Sequence, residues 1–268
     1  MSNIIETKNL TFYYERKEII KQVNFTVKEG QIVTMIGNTG GGKTTLVKLL
    51  TGLLDGRGEI LLLGHPLINN DRLLQQHLGV VLGNPHYNFV TKYVKKDLLF
   101  PLENLQYGSD EMTKYLDDVV ELFEIESLLT KPVKELTNEQ AAIVALASAM
   151  ITKPRLLILD DAFSQIGPVE KKRIWKLLGR YQRQNHMTIL NVTHDIEEAL
   201  YGDTLVVLND GSIVLEIPVD KISAYEKELK QYHYELPFMV ELSKKLQYYN
   251  VIDHTVLDMG RMVNQIWK

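Results

Sequence analysis

A glycine-rich stretch between two patterned segments limits what this chain can fold into more than any other feature. Residues 31–36 are apolar and β-rich, as in a buried strand, and residues 44–54 are typical of a helix. Glycines let the backbone between them curl until its N–H groups converge, and the helix directs its positive end to the same point. This order predicts a phosphate-binding loop. The loop residues are Gly37, Asn38, Thr39, Gly40, Gly41, Gly42, Lys43, Thr44 and Thr45.

Two side chains of this loop are expected to contact a nucleotide and its metal ion. Lys43 should reach the β- and γ-phosphates of ATP, and the hydroxyl of Thr44 should hold Mg²⁺. A Mg²⁺ ion held by one hydroxyl needs an acidic partner, which commonly ends an apolar strand. Asp160 follows the apolar residues 156–159 and is assigned this role. The alternative is a glycine-rich turn that carries a Lys-Thr pair by chance.

Two further residues are candidates for catalysis. Asp161 follows Asp160 directly and would polarise the attacking water. His194 follows the apolar residues 188–192, so it should lie at the same edge of the sheet, within reach of the γ-phosphate and the water. The alternatives are a pair of acids in a turn and a surface histidine without a role.

Short apolar runs that alternate with helical stretches predict an α/β fold with a parallel sheet buried on both faces. We expect a nucleotide-binding domain over residues 1–217, with a mostly helical subdomain at about 86–150. A hairpin with an Asn-Asp-Gly turn precedes Pro218, and residues 218–268 form a helical extension. Its apolar side chains recur at helical spacing and pack either on this domain or on a second subunit; they are Leu236, Met239, Leu242 and Leu246.

The composition argues against several classes of function. The net charge is −4 and the sequence pI about 6.0, so no basic surface for nucleic acid is predicted. The chain has no cysteine and therefore neither disulfides nor thiolate metal ligands. No apolar stretch approaches the ~18 residues of a membrane span. If the protein works at a membrane, we expect it to dock there as a peripheral protein on the cytoplasmic face.

In this order and spacing, the motifs resemble the ATP-binding cassette (ABC) family over nearly the whole chain. Three segments resemble, more narrowly, the ATPase subunits of energy-coupling factor transporters, which import vitamins and metal ions. They are residues 11–14, residues 84–90 together with 97–100 and 102–104, and residues 236–242. The resemblance implies that Tyr14 stacks on adenine and that the C-terminal extension helps two ATPase subunits to pair.

The signature sequence of the family, Leu-Ser-Gly-Gly-Gln, aligns with residues 136–140. The resemblance implies that Thr137, Asn138, Glu139 and Gln140 close on the γ-phosphate bound by the opposite subunit. Asn138 adds bulk, and Glu139 brings a negative charge towards another. At ~5 Å and an effective dielectric constant of ~20, this repulsion is about 3 kcal/mol per pair of unit charges. Unless Glu139 turns outward, we expect weaker closure.

Three more positions depart from the family pattern. Gly83 stands where the family has a glutamine that contacts Mg²⁺ and water, and Gly167 where it has an aspartate. Asp161 replaces the catalytic glutamate, so its carboxylate lies about 1.5 Å back, and a misplacement near 1 Å can cost roughly a hundredfold in rate. The sequence therefore supports ATP binding better than fast hydrolysis.

The resemblance implies an ATP-binding subunit that drives a membrane importer. Its expected partners are a second, better-conserved ABC ATPase in a heterodimer, an integral membrane transport component and a separate substrate-binding membrane subunit. Two alternatives remain open at this point. One is a soluble ABC ATPase that acts on the ribosome or DNA; the other is a nucleotide-binding regulatory or structural subunit that hydrolyses little ATP.

Overall fold

The computed structural model describes residues 2–67 and 72–267, which form two sheets and a set of helices. The strands are β1 Asn3–Tyr14, β2 Lys17–Lys28, β3 Ile32–Ile36, β4 Arg57–Leu62, β5 His65–Pro66, β6 Leu78–Val81, β7 Leu156–Asp160, β8 Thr188–Thr193, β9 Thr204–Asn209 and β10 Ser212–Pro218. The helices are α1 Lys43–Leu50, α2 Arg72–His77, α3 Val94–Asn104, α4 Ser109–Phe123, α5 Asn138–Met150, α6 Pro168–Asn185, α7 Glu226–Gln231, α8 Phe238–Tyr248 and α9 Met259–Ile266.

The central sheet has six strands in the order β10-β9-β3-β8-β7-β6. All neighbouring pairs are parallel except β10 with β9, which form the expected hairpin. Every residue of β3, β7 and β8 is buried. Strands covered on both faces are mostly apolar, which is why they appear in the sequence as short, nearly continuous apolar runs; the exceptions include Thr34 and Asn191. The expected α/β class is confirmed.

A second, antiparallel sheet of order β2-β1-β4-β5 covers one side of the central sheet. Its inward residues, such as Ile5 and Phe25, share a core with Leu46 and Leu49 of α1 and with Ile158 of the central sheet. Helix α1 therefore lies between the two sheets, and its first turn is held at the end of β3.

Helix α1 ends at Leu50, four residues before the expected end at residue 54. Gly52 adopts a left-handed conformation with φ of 72°, and the N–H of Leu53 donates to the carbonyl of Lys48 at 2.8 Å. This closing turn satisfies a free carbonyl at the helix end, so the chain leaves the helix there.

The segment between β6 and β7 is helical, as expected for residues 86–150. Helices α3, α4 and α5 pack through buried residues such as Leu98, Phe123 and Val144. The same core continues under the central sheet to Leu157 and Leu159 of β7. These helices are therefore joined to the sheet by a common core.

The C-terminal extension packs on its own chain. Leu236 and Val240 are buried in a cluster with Ile36 and Leu205 of the central sheet, and Met239 is buried beside Val256. The remaining residues of the expected stripe, Leu242 and Leu246, are partly buried against that smaller cluster. The boundary at residue 217 stays a prediction. No helix among the described residues is long and apolar enough to cross a membrane.

Candidate functional site

The phosphate-binding loop begins directly after β3 and ends in the first turn of α1. Gly37 approaches the backbone of β9 so closely that a Cβ atom would lie 2.3 Å from the carbonyl oxygen of Leu208. Gly42 has φ of 101°, a conformation that side chains disfavour, and it precedes the first helical residue. The N–H of Gly41 donates to the carbonyl of Asn38 at 2.9 Å, which closes the turn. Glycine is therefore needed here for both space and backbone conformation.

Lys43 lies across the loop that it belongs to. Its Nζ donates to the carbonyls of Gly37 at 2.6 Å and Asn38 at 3.3 Å, and the residue is only 8% exposed. Burial lowers the pKa of the Lys43 ammonium, and the charges of Asp161 and Asp160 act in the opposite direction. The ammonium is thus held at the loop by carbonyls that a phosphate oxygen can replace.

The turn between β9 and β10 supports the loop from the side. Asp210 and Gly211 both have positive φ, as a two-residue hairpin turn requires. The N–H of Gly211 donates to the carbonyl of Gly41 at 3.1 Å, and its carbonyl accepts from the N–H of Lys21 at 2.8 Å. The Lys21 ammonium also contacts Asp210 at 2.6 Å. The Asn-Asp-Gly motif predicted the turn, but no local signal indicated its contact with the phosphate loop.

Asp160 ends β7 beside Thr44, the pair expected to hold Mg²⁺. It is 2% exposed, and burial raises its pKa while a hydrogen bond with Thr44 lowers it. Among the described residues, no hydrogen-bond partner is found for the buried Oδ1 of Asp160. A buried carboxylate oxygen without a partner is costly unless a cation or water satisfies it. The donor set of one carboxylate and one hydroxyl therefore fits a Mg²⁺ ion that is shared with phosphates.

Asp161 and His194 are brought together, as the sequence predicted. The Nδ1 atom of His194 lies 2.9 Å from Oδ1 of Asp161, and the His194 N–H donates to the same oxygen at 3.3 Å. The N–H of Asp161 donates to Val192 at 2.7 Å, which links β7 to β8 at this edge. Asp161 has φ of 50°, so it turns out of its strand. The carboxylate faces the same end of the sheet as the phosphate loop.

Tyr14 lies at the end of β1, where the chain turns into β2. It is 46% exposed, and its ring packs edge-on against Phe12 with a centroid distance of 4.9 Å. A half-exposed aromatic ring supported by a second ring is suited to stacking on a flat ligand. Its contact with adenine stays a prediction.

The signature segment forms the first turn of α5. Thr137 precedes the helix, and its hydroxyl accepts from the N–H of Gln140 at 3.2 Å while the Gln140 side chain accepts from the N–H of Thr137, also at 3.2 Å. This capping box starts the helix in the usual way. Asn138 donates to the Gln165 side chain at 3.2 Å, and its Oδ1 lies 3.2 Å from Nε2 of His86. The sequence had not singled out Gln165 or His86.

Glu139 turns back into its own chain. Its Oε2 accepts the N–H of Gly167 at 2.8 Å. The sequence placed this charge opposite the partner's phosphate unless the side chain turned away, and the structure shows it bonded to the loop before α6. The two residues are 28 positions apart, so nothing in the local sequence indicated the contact.

Comparisons with known proteins agree with this geometry. The model of the ABC transporter family matches residues 20–164. The energy-coupling factor transporter ATP-binding protein EcfA1 of Oenococcus oeni is 31% identical, over 99% of this chain and 98% of the relative. EcfA1 of Ligilactobacillus salivarius is 32% identical, over 91% of this chain and 88% of the relative.

Solved structures show the same fold. The structure of cbiO1 from Clostridium perfringens, described as part of the ABC transporter complex cbiONQ, has a TM-score of 0.77 and 26% identity over 94% of this chain and all of that one. The cassette MJ0796, solved as a dimer bound to ADP and phosphate, has a TM-score of 0.74 at 23% identity over 80% of this chain and 98% of that one. From the family match over more than half of its length and from these near-full-length relatives, the chain belongs to the ABC transporter family, with the energy-coupling factor ATP-binding proteins.

Proposed function

We propose that the chain binds MgATP on residues 37–45 and acts as one of two ATPases that drive an energy-coupling factor importer. One observation carries the proposal: the buried Oδ1 of Asp160, without a partner among the described residues, next to Thr44 at the start of α1. A buried carboxylate oxygen without a hydrogen bond is costly in the nucleotide-free fold. A cation bound to the phosphates of ATP would coordinate this oxygen.

Each residue of the site has a defined role in this proposal. Lys43 exchanges the carbonyls of its own loop for oxygens of the β- and γ-phosphates, and Thr44 and Asp160 hold Mg²⁺. The metal ion, when bound, neutralises phosphate charge. His194 engages Oδ1 of Asp161, which leaves Oδ2 to orient the attacking water and accept its proton. Tyr14 stacks on the adenine.

The second ATPase would complete both nucleotide sites. Each ATP would lie between the phosphate loop of one subunit and the signature segment of the other, so that binding favours closure and product release favours opening. The extension exposes large apolar side chains that suit a pairing surface, among them Trp267 at 83% exposure. Because five positions depart from the family pattern, a heterodimer with a better-conserved subunit would divide the defects between the two sites.

The membrane component would dock beside residues 83–90 on the cytoplasmic face. Tyr87 is 84% exposed and Val90 67% exposed there, next to the short helix Pro85–Asn88. A separate membrane subunit would bind the solute, a vitamin or a metal ion. This chain would therefore drive the conformational change of the transporter and would not bind the solute.

Affinity purification of the chain from solubilised membranes of its source cells tests this function. We expect a second ABC ATPase and an integral membrane protein to co-purify. The same preparation with Tyr87→Ser and Val90→Ser should lose the membrane protein but keep the second ATPase. Recovery of the chain alone, or with ribosomes, would contradict the importer function.

Light scattering and steady-state hydrolysis on the isolated chain test the heterodimer. We expect little ATPase activity from the chain alone and preferential binding to the co-expressed second ATPase. A stable homodimer that hydrolyses ATP briskly would show that the altered signature segment is fully functional.

A nucleotide-binding structural subunit is a second candidate, because at this chain's own nucleotide site Asp161 stands where the family has a glutamate and Gly83 where it has a glutamine. Single-turnover hydrolysis in the assembled complex separates the two. Release of one phosphate per bound ATP at this chain's own loop supports the enzyme, and none supports the structural subunit.

A further inference from the structure

The first turn of α5 and the loop before α6 are joined through a carboxylate. The N–H of Gly167 donates to Oε2 of Glu139 at 2.8 Å, and Gly167 is the residue that precedes the 18-residue helix α6. The carboxylate therefore lies at the positive end of this helix. Pro168 has no N–H, and the amide of Gly167 is the donor that the carboxylate engages there. A negative charge is stabilised at such a place.

Gly167 is matched to this contact. A Cβ atom at position 167 would lie 3.1 Å from Oε2 of Glu139, closer than ordinary van der Waals contact. A side chain at this position would require the carboxylate to shift by a few tenths of an ångström, and an aspartate would add repulsion between like charges. The two departures from the family pattern, at positions 139 and 167, thus fit one another.

A second bond runs between the same two segments. Asn138 donates to the side chain of Gln165 at 3.2 Å, and its Oδ1 lies 3.2 Å from His86 in the loop after β6. Both altered signature residues are therefore used to hold loops of their own chain together.

We propose that Glu139 is a positioning residue that acts through Gly167. Its bond withdraws the carboxylate from the face that meets the partner's nucleotide and joins the signature segment to residues 164–167, so that both loops move as one unit. This inference rests on the proposed function, in which that face closes on ATP held by the second ATPase. The charge that would repel a phosphate is used inside the chain, and the N-terminus of α5 stays available to the nucleotide.

Hydrogen exchange of the Gly167 amide tests the bond without nucleotide or partner. In protein labelled with ¹⁵N-glycine, the spectrum contains the amides of 17 glycines, and Gly167→Ala identifies the signal by its loss. We expect Glu139→Ala to speed exchange at Gly167 by roughly tenfold, because one charge-assisted hydrogen bond is removed. Glu139→Gln, which keeps an acceptor, should stay near the original rate. Glu135→Ala, at an exposed glutamate four residues earlier, is the control. Equal rates in Glu139→Ala and the original protein would overturn the proposal.

A second experiment separates positioning from simple stabilisation. Gly167 has φ of −63°, which proline adopts, so Gly167→Pro removes the N–H at a compatible backbone angle and releases the Glu139 carboxylate. We expect MgATP-driven association with the co-purified second ATPase to weaken by about tenfold, and less at high salt. Glu139→Ala combined with Gly167→Pro should recover the original affinity, because no charge remains to be released. Melting temperatures of all variants control for folding.

Two outcomes of this second experiment separate a failure of the positioning role from a failure of the proposed function. If Gly167→Pro and the double variant associate equally weakly, the Glu139 charge has no part in closure and the positioning role is wrong. If no second ATPase is recovered, the proposed function fails, while the exchange rates still report whether Glu139 holds Gly167.

Discussion

The phosphate loop and the signature segment both lie at the N-terminus of a helix, but different contacts hold them. In the phosphate loop, Lys43 bonds to carbonyls five and six residues away, and Gly41 to a carbonyl three residues away. In the signature segment, Asn138 and Glu139 bond to residues 27 and 28 positions along the chain.

This difference explains why one region keeps the family pattern and the other departs from it. The phosphate loop is held by backbone groups, its own and that of Gly211, and a side chain at Gly37 would meet the carbonyl of Leu208 at 2.3 Å. A segment held by paired side chains can change when its partner changes too, as Glu139 and Gly167 illustrate. We therefore expect substitutions in the phosphate loop to act alone and those in the signature segment to act in pairs.

The largest expected effect is at the phosphate loop. Lys43→Ala should weaken MgATP binding by about 100-fold, because a charge-assisted hydrogen bond to phosphate contributes up to ~3 kcal/mol. Calorimetric titration of the isolated chain measures this, with Lys28→Ala, at the exposed far end of β2, as the control. Unchanged affinity in Lys43→Ala would show that this loop does not hold the nucleotide.

Asp161→Glu should raise ATP hydrolysis in the assembled complex by roughly tenfold, because the longer side chain restores reach towards the water. The contact with His194 at 2.9 Å must be kept for this gain. If the rate is flat or lower, Asp161→Asn is informative: a further loss means that the site has adapted to aspartate, and no change means that this site is idle.

Gly83→Gln is expected to raise the rate of ATP hydrolysis as well, but by less than Asp161→Glu. No atom of the described residues lies within 4 Å of a Cβ built at Gly83, so a Cβ atom at this position meets no clash. One added hydrogen bond near the metal ion and water should raise hydrolysis by about fivefold. Gly83→Ala controls for the loss of glycine. A rise in Gly83→Ala as large as in Gly83→Gln would exclude the amide as the cause.

The smallest effect is on stability, at Asp160. Burial raises the pKa of this carboxyl above its ordinary 3.8, so its ionised form is disfavoured in the folded chain. Its unfavourable contribution to folding therefore grows as pH rises above that value and is absent well below it. Asp160→Asn should raise the melting temperature of the nucleotide-free chain at pH 7 by about 2–4 °C, as expected for ~1 kcal/mol in a chain of this size.

Thermal unfolding from about pH 3 to about pH 7 checks this sign, because the contribution is lost only as pH falls through the raised pKa of Asp160. The gain from Asp160→Asn should shrink towards the acidic end, with Asp55→Asn, in an exposed loop, as the control substitution. A gain that grows as pH falls would mean that the pKa of Asp160 is lowered.

The local sequence was sufficient for the phosphate loop, the buried strands β3, β7 and β8, and the hairpin of β9 and β10. Short, mostly apolar runs identified β3, β7 and β8 because parallel strands covered on both faces bury nearly all their side chains. The Asn-Asp-Gly turn identified β9 and β10 because its two positive φ angles are strongly residue-specific. The meeting of Asp161 and His194 followed from the shared edge at which neighbouring parallel strands end.

Tertiary structure alone decided where Glu139 points, what supports the phosphate loop and where the extension packs. The direction of Glu139 depends on an N–H at position 167, and the support of Gly41 depends on Gly211. Leu236 has the same helical spacing whether it packs on its own sheet or on a partner, and its burial with Ile36 and Leu205 answers that question. Residue spacing within one element follows from local geometry, but a contact between distant elements depends on how the whole chain closes around its core.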